Sequence, residues 1–286
     1  MQKKAIGAAL LLSAVLLGLP DIHGQGSQPV TRTIYASVTE KGGRPVVDLT
    51  STDFEVKDGG KTQNLTVRLA TTPLRVALLV SDLGSGIFQG AALRFCEALL
   101  GHGAIAITGI TVQAQKVTDY STSPDDLSKG LSQLGRRSAS TQLGAQVVET
   151  IYEVAREIRR EGTRPAIVVL RAGSEQTGSL RIDVVQNAIR RSGATLYVVS
   201  AIRDTAQVVD VDTILNDSAR ESGGRRLDAI GTTVVPAMEQ VAAELINQYE
   251  ITYTLPEGMR PSDRVSVSTK RKGVTLNAPS RIANVP

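Results

Sequence analysis

Asp82 is the acidic residue of this sequence that is best placed to do chemistry. Residues 74–80 are almost entirely apolar, which is typical of a strand buried on both faces. The carboxylate of Asp82 follows this run directly and opens the glycine-rich turn of residues 82–86. A carboxylate in this place can bind a hard cation such as Mg²⁺, or it can cap a following helix. The pattern leaves both roles open.

Few other residues could support catalysis or bind a soft metal. Beyond the N-terminal 26 residues the chain has one cysteine, Cys96, and one histidine, His102. No internal disulfide and no Cys/His zinc cluster can therefore form. A serine triad would have to use His102, and the sequence has no Gly-x-Ser-x-Gly segment to supply the nucleophile. Cys96 falls at an apolar position of a predicted helix, so we expect a buried side chain and no enzyme activity.

Gly84, Gly86 and Gly90 have a spacing close to that of a dinucleotide-binding turn between a strand and a helix. The acidic residue that should end the next strand is absent, because Thr111 stands near that place. Asp82 inside the turn would also repel a pyrophosphate. A Rossmann-type nucleotide-binding enzyme is therefore the less favoured alternative.

The hydrophobic pattern predicts a three-layer α/β fold between two all-β segments. Residues 30–70 alternate in the manner of short strands, with a strand expected at residues 46–49 and glycine turns between strands. From residue 74 to residue 246 apolar strands alternate with amphipathic helices, one of them predicted at residues 211–221, which indicates a doubly wound, mostly parallel sheet. After Tyr249 the alternation of strands returns. The two ends of the chain could pair with each other as a small flanking β-sandwich.

The N-terminus has the features of a secretory signal peptide. Lys3 and Lys4 precede an apolar stretch at residues 5–19, and Gly24-Gln25-Gly26 supplies small residues for cleavage. A membrane anchor is the alternative, but the stretch is shorter than the roughly 20 residues that a helical span needs. We therefore predict export to the periplasm or the exterior, with membrane contact only if this segment is retained. The net charge of +4 is small for 286 residues and gives no reason to expect nucleic-acid binding.

The predicted organisation has four parts. They are a signal peptide at residues 1–26, an N-terminal β segment at 27–72, an α/β domain at 73–248 and a C-terminal β segment at 249–286.

The order of these elements resembles that of a von Willebrand factor type A (vWA) domain. Residues 47–59 and 221–253 resemble corresponding parts of the bacterial VWFA-related proteins common in Acidobacteria. The resemblance covers about residues 30–278. It implies a metal-ion-dependent adhesion site at the carboxyl end of the sheet, where the family places Asp-x-Ser-x-Ser, a threonine and a second aspartate.

Matched to that motif, this sequence keeps Asp82 and has Gly84 and Gly86 in place of the two serines, with Ser85 between them. Thr141 matches the threonine. The residues that occupy the place of the second acidic loop are Arg171, Ala172 and Gly173, and neighbouring oxygens could come from Ser174, Glu175 and Asp204. The resemblance thus implies a degenerate site of Asp82, Ser85 and Thr141, with weak Mg²⁺ or other divalent-cation binding at most, and with Arg171 able to pair with Asp82.

The resemblance implies an exported, non-enzymatic protein-binding or adhesion module. Its partner would be a protein or another cell-envelope ligand that contacts the carboxyl edge of the sheet, because loops gather there in open α/β folds. A structural component of a cell-envelope assembly is the alternative, in which the flanking β segments would serve as a docking spacer.

Overall fold

The computed structural model describes residues 29–82, 85–111, 113–134, 146–172, 180–201, 211 and 213–283. The signal peptide predicted at residues 1–26 lies outside these ranges. Within them, no helix is both long and apolar enough to cross a membrane.

Strands and helices alternate through the central part of the chain, and strands predominate in residues 29–72 and 249–283. The strands, in chain order, are β1 (Val30–Glu40), β2 (Phe54–Asp58), β3 (Lys61–Thr62), β4 (Thr66–Leu69), β5 (Leu74–Ser81), β6 (Gly103–Ile110), β7 (Ala114–Ser121), β8 (Arg164–Arg171), β9 (Thr195–Ser200), β10 (Arg226–Asp228), β11 (Tyr249–Leu255), β12 (Val265–Thr269) and β13 (Val274–Asn277). The longer helices are α1 (Gln89–Leu99), α2 (Pro124–Leu134), α3 (Val147–Glu157), α4 (Ile182–Ser192) and α5 (Val234–Ile246).

The central sheet has the strand order β10-β9-β8-β5-β6-β7. Strand β7 is antiparallel to β6, and the other neighbours are parallel. Strand β5 lies in the middle, and its residues from Val76 to Ser81 are all buried. The apolar run that predicted a two-sided strand therefore forms the centre of the sheet.

Helices cover both faces of this sheet. Helices α1, α2 and α5 pack on one face in a core that includes Val76, Leu78 and Val80 of β5. Helices α3 and α4, with residues 213–221, pack on the other face against Ala77 and Leu79. Successive side chains of β5 point to opposite faces of the sheet, as expected for a strand, so they belong to two separate apolar cores. This is the predicted three-layer α/β arrangement.

The two ends of the chain meet in two antiparallel sheets, and this confirms the predicted flanking β unit. Strand β1 pairs with β11 and β13, and β4 extends the same sheet beside β11. Strand β12 pairs with β2, which also pairs with β3. Ile34, Phe54 and Tyr253 belong to a third apolar core between these sheets.

One local prediction was wrong. Residues 46–49 were expected to form a strand, but they run irregularly. Val46 donates its N–H to the carbonyl of Val38 at 2.8 Å, and its carbonyl accepts the hydroxyl of Tyr249 at 2.9 Å, a residue that is distant in the sequence. Residues 211–221 were expected to form a helix, and their described part is helical, with a π-helix at Thr213–Ser218 followed by a short α-helix at Ala219–Glu221.

A buried charged network ties the flanking β unit together. Arg32 Nη1 lies 2.6 Å from Asp58 Oδ2, and the side chains of both residues are nearly inaccessible to solvent. The hydroxyl of Tyr253 donates to the same carboxylate at 2.9 Å, and the N–H of Ser262 donates to its other oxygen at 3.0 Å. The pKa of Tyr253 is raised above its usual range. Burial of its hydroxyl is the larger cause, and the hydrogen bond to Asp58 is the second.

A second buried arginine connects the flanking β unit to the central domain. Arg164, at the start of β8, donates to the carbonyl oxygens of Thr72 at 2.8 Å and Leu245 at 2.9 Å, and to Gln248 Oε1 at 2.8 Å. Its guanidinium lies 5.6 Å from the centre of the Tyr35 ring of β1. Burial lowers the pKa of this guanidinium. The linker before β5, the end of α5 and strand β1 thus converge on one side chain.

Candidate functional site

Three parallel strands end side by side at the place where the sequence predicted a site. Ser81 of β5 is in register with Arg171 of β8, and Arg171 is in register with Ser200 of β9. The N–H of Ala172 donates to the carbonyl of Ser81 at 2.8 Å, and the N–H of Ala201 donates to the carbonyl of Arg171 at 2.8 Å. Asp82 is the next residue after Ser81, so it lies at the carboxyl edge of the sheet.

The carboxylate of Asp82 is used within its own turn. Its Oδ2 accepts the N–H of Gly86 at 2.8 Å, and its carbonyl oxygen accepts the hydroxyl of Ser85 at 2.7 Å. Only 4% of Asp82 is exposed. Gly86 has a φ of 73°, a conformation that side chains other than glycine rarely adopt. The resemblance places a serine oxygen at position 86. The turn instead directs the backbone N–H of Gly86 at the carboxylate of Asp82.

Asp82 is not the cap of the following helix. Helix α1 begins at Gln89, and the residue in the N-cap position is Phe88. The hydrogen bond to Gly86 closes a turn that ends three residues before that helix. The sequence left open that Asp82 caps α1. This alternative is wrong, because the chain makes a separate turn before it enters α1.

Arg171 and Ala172 are buried at the same edge. Arg171 is 1% exposed and Ala172 is 8% exposed. A guanidinium thus lies inside the edge of the sheet at the place where the resemblance expected a second carboxylate. The pairing of Arg171 with Asp82 stays a prediction.

Several residues of the predicted site lie outside the described ranges. They are Gly84, Thr141, Gly173, Ser174, Glu175 and Asp204. Nothing in the structure therefore tests their roles.

The described part of this edge holds no cluster of metal-binding side chains. A hard cation needs several oxygen ligands in near-octahedral geometry. At this edge the carboxylate of Asp82 is almost inaccessible and already accepts a backbone N–H, and Asp228 at the end of β10 pairs with Arg226 at 2.9 Å. No group of three or more His, Cys, Asp or Glu side chains is placed to hold a metal within the ranges described.

The remaining reactive residues do not join Asp82. Cys96 lies in α1 with 2% of its surface exposed, and desolvation by burial raises its thiol pKa to about 12. His102 lies in the turn before β6, at the amino edge, where its carbonyl accepts the N–H of Leu74. Cys96 is therefore a core side chain, as predicted, and His102 is a surface turn residue.

Sequence reasoning missed two exposed isoleucines at the carboxyl edge. Ile87 is 64% exposed and lies in the segment that leads from Asp82 into α1. Ile230 is 50% exposed and lies between β10 and α5. Both segments follow parallel strands, so both lie at the same edge of the sheet. The available signal was a large apolar residue in a turn just before a helix.

Comparison with solved structures identifies the fold. A structure of proximal thread matrix protein 1 from the mussel byssus matches with a TM-score of 0.50 and 8% identity, over 62% of this chain and 49% of that one. This chain therefore spans about half the length of the mussel protein. The chain has a vWA-like fold.

Two further structures match the vWA-like fold with lower scores. Manganese-loaded TRAP protein of Plasmodium vivax has a TM-score of 0.44 and 9% identity, over 76% of this chain and 97% of that one. BatB from Bacteroides thetaiotaomicron has a TM-score of 0.46 and 12% identity, over 60% and 97%. No protein-family model and no curated protein matches the sequence. At these identities the similarity shows the fold and not the function.

Proposed function

We propose that this protein is an exported, non-enzymatic binding module that contacts a protein partner through the carboxyl edge of its central sheet. The observation that carries the proposal is the exposure of Ile87 and Ile230 on two segments of that edge. Large apolar side chains that stay exposed on neighbouring segments are typical of interaction surfaces. The signal-like N-terminus supports export, and the vWA-like fold supports a role for this edge in recognition.

The two isoleucines are brought to the same side of the sheet by the helices that follow them. Helices α1 and α5 pack against each other and belong to the same core cluster. Both follow strands of the parallel sheet and run away from its carboxyl edge. Ile87 precedes α1 by two residues, and Ile230 precedes α5 by four. A partner that covers the start of this helix pair would remove both side chains from water.

The proposal assigns recognition to shape and apolar contact, with reduced metal dependence. In an adhesion site that uses a metal, an open coordination position accepts a carboxylate of the partner. Here the Asp82 carboxylate is bonded inside its turn, and a buried Arg171 follows in the neighbouring strand. These contacts support a partner surface that does not depend on an acidic residue to complete a metal shell.

Photo-crosslinking at the two isoleucines tests the proposal. We expect a photoreactive residue at position 87 or at position 230 to capture the same envelope or secreted protein in the native host. Val47 is the matched control, because it is 48% exposed and lies in the flanking β unit. Capture of one common partner from both edge positions, and not from position 47, is the expected result. Equal capture from all three positions, or no capture from positions 87 and 230, contradicts the proposal.

A titration with divalent cations tests the metal part of the proposal separately. We expect Mg²⁺ and Mn²⁺ to bind more weakly than about 10⁻³ M in calorimetry, the weak end of the range for oxygen-ligand sites. Asp82→Asn keeps an oxygen that can accept the Gly86 N–H, so it serves as the matched variant with an intact turn. If the wild type binds a cation tightly and Asp82→Asn abolishes this binding, then the metal site is functional and the prediction of a degenerate site is wrong.

A further inference from the structure

A cleft lies at the amino edge of the central sheet, at the end opposite to Asp82. One wall comes from the α/β domain, around the end of α4 and the start of β9, where Arg190 and Thr195 lie. The other wall comes from the flanking β unit, with Tyr35 of β1 and Ile282 near the C-terminus. Small-molecule sites are frequent between domains.

Among the residues that line the cleft, two arginines, Arg190 and Arg281, accompany one carboxylate, Glu221. Arg281 lies 3.5 Å from Glu221 and 3.4 Å from Asp263, so its charge is balanced. Arg190 donates from Nη2 to Asn187 Oδ1 at 2.6 Å, which leaves its charge uncompensated. Among the described residues no carboxylate forms an ion pair with Arg190, although many surface arginines of this chain have one. A guanidinium that forms no ion pair can make strong charge-assisted hydrogen bonds with the carboxylate of a ligand.

The wall of the cleft also contains a buried hydroxyl without a hydrogen-bond partner. Ser218 is 3% exposed and lines the cleft, and its Oγ has no partner within the described structure. Buried polar groups are nearly always hydrogen-bonded, so such a group needs a reason. A ligand oxygen in the cleft would supply the missing partner after a small rotation of this hydroxyl.

We propose that this cleft binds a small organic carboxylate with an apolar body. The carboxylate pairs with Arg190, and a ligand oxygen reaches the hydroxyl of Ser218. The apolar body lies against Tyr35 and Ile282. Because the two walls belong to different units, the bound ligand holds the flanking β unit to the α/β domain. The proposal concerns the opposite end of the sheet and does not depend on the function proposed for the carboxyl edge.

The test uses 2-naphthoate, a fluorescent aromatic carboxylate, as the probe. The chain has no tryptophan, so naphthoate fluorescence can be followed without interference. We expect saturable binding to the full protein and a rise in the melting temperature with probe concentration. Arg190→Gln should weaken binding about tenfold or more, and 2-naphthamide, which has the same shape without the charge, should bind about tenfold more weakly.

Two further variants make the result specific. Arg191→Gln is the matched control, because Arg191 is the next residue of α4, is exposed and does not line this cleft. It should leave the affinity within about twofold. Gln186→Phe adds bulk to a partly exposed wall residue without adding a tryptophan and should block binding. Methyl resonances of Ile282 should shift with the probe, and those of Ile87 should not.

Three results overturn the proposal. The first is no saturable binding at probe concentrations up to about 10 mM. The second is equal binding by the wild type and Arg190→Gln. The third is an equal loss in Arg190→Gln and Arg191→Gln, which would indicate general attraction to the basic end of α4. Denaturant unfolding of each variant shows whether a change in affinity is accompanied by a loss of folding.

Discussion

Replacement of Asp58 by alanine is expected to lower the free energy of unfolding by about 3–5 kcal/mol. The change removes the carboxylate that holds Arg32 at 2.6 Å and Tyr253 at 2.9 Å. Both partners would stay in the core of the flanking β unit, where an uncompensated guanidinium is strongly unfavourable. Urea unfolding followed by circular dichroism measures the loss.

Asp48→Ala is the matched control for this prediction. Asp48 also pairs with an arginine, Arg271, but its side chain is 67% exposed. We expect its urea midpoint to equal that of the wild type, because water solvates both charges when the pair is broken. The double variant Arg32→Met with Asp58→Leu should recover much of the loss, since neither charge is then left buried. A change below about 1 kcal/mol for Asp58→Ala would show that this network does not stabilise the β unit.

The fold class could be predicted because its main signals are local. The apolar run before Asp82 indicated a strand covered on both faces, and Gly193 marked the end of a helix. In the structure Gly193 ends α4 with a φ of 66°, a conformation that glycine adopts without strain. The strands of both terminal segments also followed from their alternating patterns. Each of these features depends on residues that are close in the sequence.

Other features depend on partners that the sequence does not reveal. Residues 46–49 have an apolar pattern typical of a strand, but the carbonyl of Val46 accepts the hydroxyl of Tyr249, about 200 residues away. The carboxylate of Asp58 gave no sign of its pairing with Arg32 and Tyr253. Long-range contacts of this kind are set by the packing of the two terminal segments and not by local propensity.

The candidate site was predicted in part. The position of Asp82 at the carboxyl edge followed from the strand before it, but its hydrogen bond to Gly86 did not. The glycine allows a backbone conformation with positive φ, which brings an N–H to the carboxylate. The exposure of Ile87 and Ile230 could not be inferred either, because an apolar residue near a helix start is usually expected to pack inward.

Gly103→Ala is expected to destabilise the protein by about 3 kcal/mol or more. Gly103 begins β6 and is in register with Leu74 at the start of β5. A β-carbon at this position would lie 2.0 Å from the carbonyl oxygen of Leu74 and 2.6 Å from its carbonyl carbon. Both are backbone atoms of the strand that β6 and β8 hold in the middle of the sheet. Relief of the clash must therefore displace β5, and with it the turn that carries Asp82 at the other end of this strand.

Gly90→Ala separates this clash from the general effect of replacing a glycine. Gly90 lies in α1, and a β-carbon there meets no atom within 4 Å. Alanine should be neutral or stabilising at this position, by up to about 1 kcal/mol, because it restricts the unfolded chain and favours the helix. Urea unfolding of the two variants should thus give shifts of opposite sign or of very different size. Similar midpoints for both would mean that β5 and β6 can separate at little cost, and that the position of the Asp82 turn is not fixed by the centre of the sheet.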